Sequence, residues 1–117
     1  HALMATVTTY VLVSNPDDPD AVEDHDVIED HGFELQNREE GEDGASLRYR
    51  TETALQERVN LEEPVRALSS AFPEAPVTFC EVEERFNNVE HVRTVVYIAG
   101  REAGEIEHGF AFNVGAG

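Results

Sequence analysis

The carboxylates of this chain are spread along its whole length rather than gathered at one end. There are 18 Glu and 7 Asp against 8 basic residues, all of them Arg. An acidic tail would be a block of like charge left in water, whereas interspersed acids must lie on the faces of the folded elements themselves. Every element is therefore obliged to keep a wet face. With 117 residues, 40% of them apolar and 8% aromatic, the chain has room for one domain with a real but small core. His1, Ala2 and Leu3 precede Met4, which reads as a native initiator behind three residues left by an expression vector, so residues 4–117 are taken as a single domain.

The formal net charge of -17 excludes several partner classes at once. Neutralising phosphates takes clustered Lys and Arg, so direct nucleic acid binding through a basic surface is ruled out, and an anionic membrane repels such a chain. The composition resembles that of proteins from salt-in halophiles. Apolar usage agrees, with 14 Val against 3 Ile and no Trp. Self-repulsion acts over about 10 Å in 0.1 M salt and over about 3 Å in molar salt. The lone Cys80 excludes an intramolecular disulfide. No apolar run approaches the length needed to span a bilayer and no leader pattern is visible, so the expectation is a soluble, cytoplasmic protein with no cofactor.

Residues 5–13 alternate Val7, Thr9, Val11 and Val13 with Thr8, Tyr10 and Leu12, which predicts a central strand apolar on both faces. Two Pro and three Asp within residues 15–20 predict a turn and an N-cap, followed by a short helix to about residue 30. His31-Gly32 stops it. Residues 33–38 are read as a strand with Phe33, Leu35 and Asn37 inward. A hairpin loop at residues 39–44 leads to a returning strand with Leu47, Tyr49 and Thr51 inward and Arg48 and Arg50 outward.

The clearest helix runs from Asn60 to just before Pro73, where Leu61, Val65, Leu68 and Phe72 form one stripe and Asn60 with Glu63 suggests a capping box. Three strands follow, at about residues 77–86, 89–99 and 105–113. In the middle one, Val92, Val96 and Ile98 face opposite to Val95 and Tyr97. This order predicts an α+β, ferredoxin-like (βαββαβ) antiparallel sheet with two helices on one face and a C-terminal β-hairpin extension.

Two constellations carry candidate chemistry. His25, Glu29 and His31 lie in an acidic stretch where imidazole and carboxylate suit a transition metal, and His25 and Glu29 share a helical face at i, i+4. The two His, six apart, do not. Arg48 and Arg50 protrude from one strand face, and with His91 and Arg93 on a neighbouring strand they form a candidate anion site on the open sheet. Ion pairing with Glu34, Glu52 or Glu83 competes with it. His108 reads as a core histidine in phase with Ile106, Phe110 and Phe112, and Cys80 as a packing residue. No nucleophile elbow or phosphate loop is present.

The leading functional expectation is a non-enzymatic protein-interaction or accessory domain of a salt-adapted cytoplasm, meeting a protein partner or a second copy as a homodimer, with strand edges as one route to pairing. An acidic mimic of nucleic acid that blocks a basic protein is the second. The third is a ligand-binding protein or enzyme using the open sheet face. If the acidity is a solvent adaptation, the midpoint of thermal unfolding climbs steeply as KCl is raised from 0.1 M to about 3 M, where the screening length is only about 3 Å or less. A midpoint that does not move with salt contradicts that adaptation.

Overall fold

The computed structural model describes residues 5–42, 44–86 and 88–109. Ten segments of secondary structure follow one another: β1 (Thr6–Val13), α1 (Pro19–Glu23), α2 (Asp26–Asp30), β2 (Glu34–Gly41), β3 (Gly44–Ala54), a 3-10 turn (Leu55–Glu57), α3 (Glu62–Ala71), β4 (Val77–Arg85), β5 (Asn88–Ile98) and β6 (Arg101–Gly109). The strands form one sheet in the order β2-β3-β1-β4-β5-β6, every pair antiparallel. The predicted central strand is central: β1 is bonded to β3 on one side and β4 on the other.

The ferredoxin-like expectation is overturned. The chain builds a mostly-β, six-stranded antiparallel sheet with short helices, and the two strands expected as a C-terminal extension, β5 and β6, are a third of that sheet. The predicted first helix is two single turns of five residues. Asp18 caps the first, accepting from the Ala21 amide at 3.1 Å, and His25 breaks the segment by capping the second. With acids at Asp20, Glu23, Asp24, Asp26, Glu29 and Asp30, like charges recur at helical spacing, and the segment buries only Val22, Val27 and Ile28.

The α3 stripe is as the periodicity predicts, with Leu61, Val65, Leu68 and Phe72 all buried. Asn60 Oδ1 accepts from the Glu62 amide at 2.9 Å, satisfying one of the unpaired donors at the helix start. Glu63 does not complete a box and points to Arg66 at 3.9 Å. The stripe joins Val11, Val13, Leu47, Tyr49, Val77, Phe79, Val95 and Tyr97 in one core cluster, all on a single face of the sheet. The inward reading of β2 is corrected at two positions: Leu35 lies opposite the buried Tyr49 yet is 42% exposed, and a bulge between Leu35 and Asn37 sets Asn37 opposite the outward Arg48.

The last hairpin also lies earlier than the sequence suggests. Its turn is Ala99-Gly100, both with positive φ (53° and 78°), so β6 begins at Arg101 and not near residue 105. Two left-handed residues in a two-residue loop match the twist of the strands they join. Gly100 is also held from below: its amide donates to Ser69 Oγ at 3.0 Å, and its carbonyl accepts from Arg66 Nε at 3.2 Å. The expectations for residues 110–113 and for Phe110 and Phe112 lie outside the described residues, as does the His108 side chain.

This turn yields a pair of predictions with opposite signs. Ala99→Asn relieves an Ala in the left-handed region and stabilises the fold by about 0.5–1 kcal/mol. Gly100→Ala costs about 1–3 kcal/mol, since φ is +78° and a Cβ would lie 2.0 Å from Ser70 Oγ. Urea unfolding of both variants checks the pair, and Ser70→Ala added to Gly100→Ala recovers only the part of the loss due to the clash.

Candidate functional site

Parity along the strands sorts the polar side chains between the two faces. On β4, Val77 and Phe79 point into the core, so Glu81 and Glu83 point the same way, beyond the end of α3. Register places Arg93 opposite Glu81 and His91 opposite Glu83 on β5, with Glu107 opposite Arg93 on β6. Arg58, just after the 3-10 turn, and Glu62, in the first turn of α3, come down onto the same area. Together with Asn60, all of these side chains except Glu83 line a cavity of about 420 Å³.

At its centre Glu81 is 5% exposed. Arg58 Nη2 donates to Glu81 Oε2 at 3.1 Å, and Arg93 Nη1 stands 3.7 Å from Glu81 Oε1. Arg58 also donates to Glu83 at 2.9 Å, while Arg93 bonds to Glu62 and to Glu105, the latter at 3.0 Å. The His91 imidazole lies between Glu107, 2.7 Å from Nε2, and Glu83, 3.6 Å from Nδ1. Each cation is shared by two or more carboxylates. This is an ion-pair lattice that clamps β4, β5, β6 and the start of α3 together.

Its outer edge is electrostatically uneven. The Arg93 guanidinium, followed by a hydrogen bond from Glu102, holds the Glu105 carboxyl below the usual glutamate range, whereas the bond to Glu105 raises Glu102. The hydrogen bonds that Arg93 donates to Glu105 and then to Glu62 push its own guanidinium upward. On the other side of the core, the Tyr49 hydroxyl is buried with no hydrogen-bond partner, and desolvation, then the charge of Glu23, drives its phenol up.

The candidate anion site is divided by the sheet. Arg48 and Arg50 alternate with the buried Leu47 and Tyr49 and project from the open face, while His91 and Arg93 belong to the helix-covered face. The four residues do not converge, because Arg93 aligns through Glu81 and Thr9 with Thr51, of opposite parity to Arg48 and Arg50. Arg50 lies 3.4 Å from Glu52, one of its expected ion-pair partners. The candidate metal residues are likewise occupied separately. His25 Nδ1 accepts from the Val27 amide at 3.2 Å and its ring meets Phe72 edge-on; Glu29 is exposed; the His31 carbonyl accepts from the Thr51 hydroxyl at 3.3 Å. Among the described residues no three His, Cys, Asp or Glu side chains are grouped to hold a metal ion.

The open face is different in kind. Between β1 and β6 it presents Tyr10 and Leu12, then Thr78, Cys80 and Val82, then Val92, Thr94 and Val96, and finally Ile106. No helix among the described residues covers this face, and the charged residues Glu84 and Arg101 stand at its strand ends. Ile98 and Ile106 are 44% and 59% exposed. A shallow hollow of about 370 Å³ opens among Tyr10, Leu12, Arg48, Thr78 and Cys80. Thr94 Oγ1 donates to Cys80 Sγ at 3.5 Å. Comparison with family models, curated proteins and solved structures finds no match. No helix among the described residues is long and apolar enough to cross a membrane.

The lattice makes two predictions. Glu81→Ala leaves two guanidinium groups facing a buried gap and costs about 3 kcal/mol in urea unfolding. Glu102→Gln raises the unfolding midpoint at pH 7 and low salt. Its raised carboxyl opposes folding while ionised, so the difference from the parent vanishes as pH falls below the ordinary glutamate value of 4.5 and both forms become neutral there. Glu105, held low, acts in the opposite sense: its contribution is complete above that value and fades as pH falls through its depressed one. An unchanged midpoint for Glu102→Gln at pH 7 contradicts this assignment.

Proposed function

We propose that the chain is a non-enzymatic contact module of a salt-rich cytoplasm, and that the open face of the sheet is its contact surface. One observation carries this reading: in a chain with 25 carboxylates, four neighbouring strands keep a face that no helix among the described residues covers, with Glu84 and Arg101 at its ends and no carboxylate at its centre among those residues. Solvent adaptation alone would place acids there as it does everywhere else on the surface. Contiguous exposed apolar patches of this kind mark interaction sites. The ion-pair lattice fits the same reading, since its carboxylates are tied to Arg58 and Arg93 and serve to hold the sheet in shape. Tyr10 and Arg48 beside the hollow are of the types that anchor protein contacts.

A photoreactive maleimide at Cys80, on the open face, tests this in a native cell extract at molar KCl. The expected result is one dominant adduct of defined mass that is lost with Thr94→Glu. The same reagent placed on the exposed helix-side Ser70→Cys, in a Cys80→Ser background, gives none. Adducts that form equally from both positions, or from neither, contradict the assignment of the open face as the contact surface.

A further inference from the structure

We infer that the occupant of the open face is a second copy of this chain, packed sheet against sheet; this rests on the proposed role of that face. Charge selects the occupant. Each copy carries -17, so two can approach only where their surfaces lack like charge, and the open face is such a region. A basic partner would be drawn instead to the acidic helix side and edges. The margin of the face carries both signs: Glu34, Glu39 and Glu52 stand beside Arg48 and Arg50 on β2 and β3. A two-fold contact needs a surface complementary to itself, and a margin of mixed sign supplies one. Arg48 has no carboxylate within ion-pair distance among the described residues, and a second copy brings acids to it.

Charge also closes the edges to pairing. Pairing through β2 or β6 would set Glu39 and Glu40, or Glu102, Glu105 and Glu107, against their own copies, the arrangement by which edge strands resist association. The sequence-based expectation of edge pairing therefore gives way to pairing through the face.

Area is compatible with this only when the margin takes part: the four strands β1, β4, β5 and β6, about 4.8 Å apart and about 26 Å long, present on the order of 500 Å² per copy, and the mixed-charge strands β2 and β3 bring the contact toward the roughly 800 Å² per partner of a stable interface. Two such faces stack about 10 Å apart, as in sandwich proteins. Cys80 lies near the middle of β4, itself an inner strand, so the face carries its own reporter at its centre.

Light scattering of the purified chain at 0.1 M and at about 3 M KCl, over a range of concentrations, is combined with the rate of Cys80 alkylation by N-ethylmaleimide. The expected result is twice the 13.0 kDa chain mass in molar KCl, reverting to one at low salt. Alkylation slows at least tenfold as concentration rises in molar KCl and does not slow at 0.1 M. Thr94→Glu, checked for folding by circular dichroism, restores the monomer. A monomer under all conditions overturns the inference, as does a dimer whose Cys80 reacts at the monomer rate, which would be built elsewhere. A single Cys80 adduct with a different protein in extract overturns the second copy and leaves the contact surface standing; no adduct at all removes both. The native thiol needs no variant, so failure of Thr94→Glu to fold does not spare the inference.

Discussion

A helix of ten residues, about 15 Å long, cannot cover a sheet whose edge strands stand about 24 Å apart, and the rest of this structure follows from that shortfall. α3 spreads its stripe over the middle of one face, and α1 and α2 add only Val22, Val27 and Ile28 beside it. The buried apolar side chains of the sheet fall on the helix side of β3, β1, β4 and β5, and Thr8 alone of the residues buried on these strands belongs to the open face. Beyond the ends of the helices on that face, the sheet is closed by charge, with Glu81 enclosed by Arg58 and Arg93. The other face is left to water or to a partner.

The two faces meet the chain's acidity in different ways. On the helix side three Arg each serve several carboxylates: Arg38 reaches Asp20, Glu23 and Glu40, Arg58 reaches Glu81 and Glu83, and Arg93 reaches Glu62, Glu81 and Glu105. Exposed pairs of this type contribute little singly. Glu81 is the exception, since burial makes its pairing obligatory. On the open face, carboxylates are kept to the margin. On the proposed reading of this face, the contrast makes contact across it dependent on screening of the charges around it.

Much of the local structure was legible because strands and helices announce themselves by period. The alternation in β1, the α3 stripe and the hairpins on either side of β5 all carry their faces in the sequence. Two things misled. The segment from Asp18 to Asp30 has too few apolar positions to commit to one helix, and His25 turned out to end one turn and begin the next. The turn at Ala99-Gly100 was hidden because Ala is an unusual residue at positive φ, which displaced β6 by four residues and with it the sense of where the sheet ends. The candidate sites failed for a different reason: parity within a strand was clear, but register between strands was not, so Arg48 and Arg93 could be drawn together on paper although they stand on opposite faces. Glu81 had a readable signal, an acid in phase with Val77 and Phe79, while Arg58 and Glu62 had none, because their place depends on how the 3-10 turn folds back over the sheet.

The central claim is that one face of this sheet is core and the other is contact surface. Solvent paramagnetic relaxation of the methyl groups, measured by NMR in molar KCl, addresses it directly. The account predicts that Val11, Val65 and Val95 are shielded at every protein concentration. Val92, Val96 and Ile106 are open to the soluble probe when dilute and become shielded as concentration rises. Open-face methyl groups that stay equally accessible at all concentrations, or that are as shielded as Val11 even when dilute, contradict it.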